Sequence, residues 1–200
     1  MARQPSPADD SAQDRTPPPA ALLRDFVNTL DHELGTDELA TTAGLTDFLV
    51  GHGLLAGGAT AGEAEREASV RLREGLHAAF ELNHAAEEAP LTTFDDTLGT
   101  LSVRLQWDGG GVAVAPAEDG VAGALTRIAL AAHAARASDL WWRLKICAFD
   151  ECRWAYYDQS KNRSRHYCEY GCGNKLKTRA YRARRRADQR ENPAESAGGL

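Results

Sequence analysis

Residues 147–175 read CAFDECRWAYYDQSKNRSRHYCEYGCGNK, and this stretch holds all four cysteines of a 200-residue chain. The spacing is Cys-x4-Cys, a connector of fifteen residues, then Cys-x3-Cys. Two close thiol pairs across a short connector can supply a tetrahedral four-thiolate site from Cys147, Cys152, Cys168 and Cys172. The connector has too few aliphatic residues for a core of its own. A bound metal would have to supply the missing folding energy, on the order of 10 kcal/mol or more. Four sulfur ligands close the coordination shell, so the expected cofactor is one structural zinc ion per chain rather than a catalytic zinc. Free thiols, two disulfides and a redox switch are the competing readings of the same cysteines. Bridges that brace a secreted protein would be spread more widely along it. His166 is expected to be a surface or phosphate-contacting residue, and His77 and His84 ordinary helix residues.

A helix is expected to follow the second cysteine pair, from about Gly173. A helix N-terminus favours nearby negative charge and would help hold Cys172 as a thiolate. Residues 174–190 read NKLKTRAYRARRRADQR. Leu176, Ala180, Ala183 and Ala187 share one helical face that can pack on the zinc module. Lys175, Lys177, Arg179, Arg182, Arg184, Arg185, Arg186 and Arg190 cover much of the rest, with Asp188 as the sole acid. A merely solvated helix mixes both signs in i,i+4 pairs. Phosphate is therefore the expected partner of this face, with Arg163 and Arg165 of the connector adding contacts.

Charge divides the chain. It carries −6 overall, but residues 143–190 hold fourteen Lys and Arg against five Asp and Glu, a local +9 that leaves −15 for the remainder. Such asymmetry marks a module with an anionic partner, of which nucleic acid is the commonest. Aromatic residues crowd the same segment; they could stack on unpaired bases, or form the small core around the metal.

Upstream the pattern is helical. Leu22, Leu23, Phe26, Val27, Leu30 and Leu34 predict a first helix from about Ala20 to Gly35. A second helix is expected over residues 42–50. A capping box of Thr60 and Glu63 predicts a long helix to about Glu88, with a short one over residues 91–98. Alternation over residues 102–107 and 112–115 around Asp108-Gly109-Gly110-Gly111 predicts a β-hairpin. An Ala-rich helix is expected over residues 120–138. The fold class is thus mainly α with one β-hairpin (α+β), followed by a small four-cysteine zinc module that ends in a basic helix. Residues 1–19 and 189–200 read as disordered tails, residues 20–139 as the helical domain and residues 140–188 as the zinc finger. Residues 1–20 lack an apolar stretch of signal-peptide length and no run approaches a membrane span, so a cytoplasmic protein without a membrane partner is expected.

Two motifs resemble known families. Residues 147–186, with CRWAYYDQS at residues 152–160 and CGNK at residues 172–175, look like the CGNR zinc finger. LLRDFVNTLD, residues 22–31, is similar to the start of the ABATE domain that precedes this finger in bacterial proteins. The resemblance implies a stress-induced transcriptional regulator whose finger binds zinc through Cys147, Cys152, Cys168 and Cys172 and contacts DNA. Lys175 stands where the family has Arg, which keeps the charge without the bidentate fork, and His166-Tyr167 stands where Arg-Trp is usual. Asp25, Asn28 and Thr29 interrupt the apolar face of the first helix. They either hydrogen-bond within the fold or line a ligand pocket. No nucleophile–base pair, phosphate loop or catalytic carboxylate pair is recognisable, so no enzymatic activity is expected. The expected function is DNA-binding regulation, with the first domain sensing a signal or forming a homodimer. The alternatives are an RNA- or protein-binding zinc module, or a small-molecule-binding first domain with an accessory finger.

Overall fold

The computed structural model describes residues 16–191, with side chains described to Arg186. The expected tails fall mostly on residues 1–15 and 192–200, outside the described residues. Helix α1 spans Pro18–Val27. Proline in its first turn costs nothing, because those N–H groups have no intrahelical acceptor. The helix stops eight residues short of Gly35. Thr29 turns its hydroxyl onto the Phe26 carbonyl at 2.8 Å, and the Asp31 carboxylate accepts from the Glu33 and Leu34 backbone N–H groups, both at 2.9 Å. These local bonds compete with the helical ladder. Leu30 and Leu34 kept the helical spacing, yet Leu30–Asp31 forms strand β1, paired with β2 at Thr36–Asp37, and Leu34 is exposed.

Helix α2, Thr42–Gly51, is capped by the Thr41 hydroxyl, which accepts from Gly44 N–H at 3.1 Å. Helix α3, Glu63–Leu82, starts with Gly62 N–H donating to Glu65 at 2.7 Å, so the capping residues sit two positions after the predicted pair. It ends six residues before Glu88, where Asn83 turns inward and donates to the Trp141 and Leu144 carbonyls, both at 2.8 Å. Helix α4, Thr92–Leu98, lies against α3. Gly75 permits this approach, because a Cβ there would stand 2.2 Å from the Phe94 ring.

Strands β3 (Val103–Trp107) and β4 (Val112–Pro116) form the predicted hairpin, and α5, Gly120–Ala137, packs against α1. The core contains Leu23, Phe26, Leu39, Leu45, Leu49, Leu72, Leu76, Phe80 and Ile128. Arg73, on α3, is buried and makes a bidentate ion pair with Asp37 at 2.6 and 3.1 Å, locking β2 to α3.

A third strand pair joins this core to the cysteine segment: residues 143–146 read as strand-like in the sequence, whereas their partner strand did not. Strands β5 (Leu144–Ile146) and β6 (Ala155–Tyr157) are antiparallel, with Lys145 opposite Tyr156. Side chains alternate between the faces of a strand. Leu144, Ile146, Ala155 and Tyr157 pack with the helical core, whereas Tyr156 packs in a second core made by the cysteines. The hairpin is a partition shared by both cores. Helix α6, Cys172–Glu191, closes the described chain. Among the described residues, no helix is long and apolar enough to cross a membrane.

Candidate metal centre and basic helix

The metal centre is built at one end of β5–β6. Cys147 directly follows β5, and its N–H donates to the Trp154 carbonyl at 2.8 Å. The chain then turns tightly, with the Cys152 and Arg153 N–H groups both donating to Phe149 at 2.8 and 3.1 Å. The connector returns alongside, as Ala148 N–H donates to the His166 carbonyl at 2.8 Å. Gly171, at φ +75°, makes the sharp entry into α6 and places Cys172 as that helix's first residue.

All four cysteines are buried and unbridged, and their sulfur atoms lie within 4.8 Å of one another. Cys152 and Cys168 are separated by 3.7 Å, Cys168 and Cys172 by 3.6 Å. Tetrahedral zinc with Zn–S bonds of about 2.3 Å places its sulfurs roughly 3.8 Å apart. Disulfide bonds need about 2 Å. The donor set and spacing fit one structural zinc, with Phe149, Tyr156, Trp154, Tyr167, Tyr170 and Leu176 as its hydrophobic shell. Sulfur hydrogen bonds from Cys152 and Cys168 hold the Cys147 thiol far below its ordinary range. Burial pushes the Cys172 thiol up to about 12, opposing the helix-dipole effect expected for it. A divalent cation is what would make four such thiolates compatible.

Two buried charges brace the connector. Lys145 and Asp158 are 2% and 0% exposed and form an ion pair at 3.0 Å. Asp158 also accepts from Ser160 N–H at 2.9 Å, Ser160 Oγ at 2.6 Å and Arg165 N–H at 2.9 Å. Lys145 donates in addition to the Arg163 carbonyl, and Tyr156 hydroxyl donates to the Arg165 carbonyl at 2.6 Å. The loop carrying Arg163 and Arg165 is thereby fixed to the metal-side face of β5–β6. Sequence reading missed this pair. The signal was a lone lysine in an apolar strand, LKI, together with an aspartate just past the next strand.

The predicted phosphate-contacting residues separate into two groups. Arg163 pairs with Asp139 at 3.3 Å, and Arg165 lies over the Tyr156 ring and pairs with Glu169 at 3.7 Å. Lys175 pairs with Glu33 of the β1–β2 turn at 2.9 Å. Arg179 makes a bidentate pair with Glu151 at 2.7 and 2.9 Å and lies over Phe149. Lys177, Arg182, Arg184, Arg185 and Arg186 are exposed. Leu176 is the residue of the apolar stripe that packs on the cysteine core; Ala180 and Ala183 are exposed, so α6 projects from the module beyond its first turns. Arg190 and Ala187 have no described side chains. His166 is exposed and stacks on His84 with ring centres 5.3 Å apart.

Asn28 and Thr29 hydrogen-bond within the fold, and Asp25 pairs with its chain neighbour. Asn28 exchanges two hydrogen bonds with the Ala155 backbone, at 2.9 and 2.7 Å, stitching α1 to β6. Thr29 is buried against α1 and accepts from Arg73 at 3.4 Å. Asp25 pairs with Arg24 at 2.8 Å. An open depression lined by Leu54, Leu55, Asp119 and Arg127 includes none of the three.

With this geometry in place, comparison with protein families is direct. The model described as CGNR zinc finger matches residues 143–185. The model described as "ABATE: Putative stress-induced transcription regulator" matches residues 12–142. No curated protein matches the chain. The two matches meet between residues 142 and 143, just before β5, where the two cores also meet.

Proposed function

This chain belongs to the ABATE family and carries a CGNR zinc finger, and from that premise we propose that it regulates transcription by gripping duplex DNA through α6. The observation that carries the reading is the projecting helix. Lys177, Arg182, Arg184, Arg185 and Arg186 lie exposed on one twenty-residue element whose root, Cys172, belongs to the metal centre. Zinc fixes where that positive surface points, and phosphate contacts position a protein on DNA. The net charge of the N-terminal segment would keep the rest of the chain off the duplex. The metal-side aromatics are occupied in the cysteine core; this favours a duplex over single strands, which would need them for stacking. The closed four-sulfur shell supports a non-enzymatic role, and the ABATE domain would sense a signal or assemble the protein. In this reading the protein works in the cytoplasm.

The test is a titration of zinc-loaded protein with duplex DNA across a salt series. Log K is expected to fall linearly with log salt, by about 0.9 for each phosphate neutralised. Replacing Arg184, Arg185 and Arg186 by alanine should flatten that slope. Absence of binding at low salt would sink the proposal, and preferential competition by structured RNA would redirect it to the RNA reading.

A further inference from the structure

The β3–β4 hairpin is amphipathic in the wrong sense for a lone chain. A half-covered antiparallel sheet normally turns its apolar side chains inward. Here Val103, Leu105, Trp107, Val112 and Val114 point outward and are 52%, 71%, 72%, 70% and 46% exposed. The register places Trp107 opposite Val112 and Leu105 opposite Val114, so the five share one face, and no charged residue lies among them. The opposite face carries Arg104, Gln106 and the half-buried Ala113 and Ala115, and β4 rests on α5. On β4 the small residues turn toward α5 and the bulky ones face water.

We infer that this hairpin face is a homodimer interface, on which a second copy of the chain packs about a two-fold axis. Three observations select that occupant. The first is area: covering these side chains on both copies would remove on the order of 1,000 Å² from water, about the least that a specific interface buries. The second is charge. An uncharged face meets its own copy without like-charge contact, as a two-fold pairing requires, and it offers nothing to phosphate. The third is the chain's own composition. Residues 1–15, MARQPSPADDSAQDR, and residues 192–200, NPAESAGGL, contain too few large apolar side chains to cover it. A two-stranded ribbon is also marginal by itself, and a facing copy supplies the missing layer.

Sedimentation velocity of the zinc-loaded full chain tests this. The wild type is expected to run at about twice its 21.6 kDa mass, and to do so equally at high salt, where screening weakens the repulsion of acidic segments. The double variants L105E/W107E and L105K/W107K alter exposed positions; each should be monomeric, with dimer dissociation shifted at least ten-fold in concentration. Mixing the two should restore a dimer through complementary charge. A wild type that stays monomeric at about 100 μM would overturn the inference, whatever other partner covers the face. So would a dimer that persists in both variants. Monomeric variants with no recovery on mixing would also count against it if their melting curves and zinc content match the wild type. The salt response separates this from the DNA reading, because DNA binding weakens as salt rises.

Discussion

At the scale of the residue, the most consequential side chain is Lys145. Its ammonium and the Asp158 carboxylate are both removed from water. Burial works against the Asp158 charge, but hydrogen bonds from Ser160, Lys145 and Arg165 outweigh it and leave the carboxyl below its ordinary range. Taking one partner from a buried pair strands the other. Lys145→Met should therefore cost about 3 kcal/mol in urea unfolding, and adding Asp158→Leu should recover part of that loss. A double variant no more stable than the single one would show that the pair is not the origin. His77 gives a pH signature. Burial lowers its pKa from 6.5, against the opposing pull of Glu81. The unfolded imidazole then binds a proton that the native one refuses, so its contribution is complete above pH 6.5 and is lost as pH falls toward the native value. Stability measured from pH 7 to pH 5 should fall less steeply in His77→Gln than in wild type. Equal slopes would refute the assignment; the slope is the readout because zinc thiolates also titrate in both proteins.

At the scale of the element, α6 is the least regular fit between pattern and structure. Its four-residue stripe predicted a packed helix, but Leu176 alone is large enough to bury, and Ala180 and Ala183 are exposed. The helix is instead anchored near its root by Lys175–Glu33 and Arg179–Glu151. The Arg179 contact holds the Glu151 carboxyl below its ordinary range. A guanidinium already neutralised by a carboxylate releases less counterion on meeting phosphate. Under the DNA reading, Arg185→Ala should weaken duplex binding several-fold more than Arg179→Ala, and Glu151→Gln should strengthen it. Equal losses from both arginines would place the whole helix, not its projecting part, against DNA. Helices α2, α4 and α5 and the β3–β4 hairpin were legible because periodicity and turn residues agreed there. The ends of α1 and α3 were not. Leu30 and Leu34 extended the helical spacing, while Thr29 and Asp31 ended α1 by local side-chain bonds that compete with the helix, and Asn83 ended α3 by bonds to carbonyls far along the chain.

At the scale of the whole molecule, the metal site was legible from cysteine spacing, whereas its attachment was not. Residues 143–146 read as a strand, but three residues do not show which segment pairs with them, and nothing local tells Leu144, Ile146 and Ala155 that their neighbours come from α1 and α3. The composition shift near Asp139 separates two segments of sequence, but residues 144–157 fill the helical core with one face and the cysteine core with the other. Zinc should therefore act beyond its own loop. A zinc ion at the four sulfurs would hold Cys147 and Cys152, and these bound the turn between β5 and β6. Releasing it frees the turn, loosens the strand pair, and exposes Leu144 and Ile146 of the helical core. The Asn28–Ala155 exchange carries the same disturbance to α1. Calorimetry of the intact chain should show one cooperative transition with zinc, and chelation should lower the melting temperature of the helical core along with the finger. Cys168→Ser should do the same, because three thiolates bind less tightly than four. If the two segments were independent, chelation would leave a helical-core transition at its original temperature, and that result would refute the shared partition. A common shift would mean that the metal which orients α6 also sets the stability of the domain expected to control it.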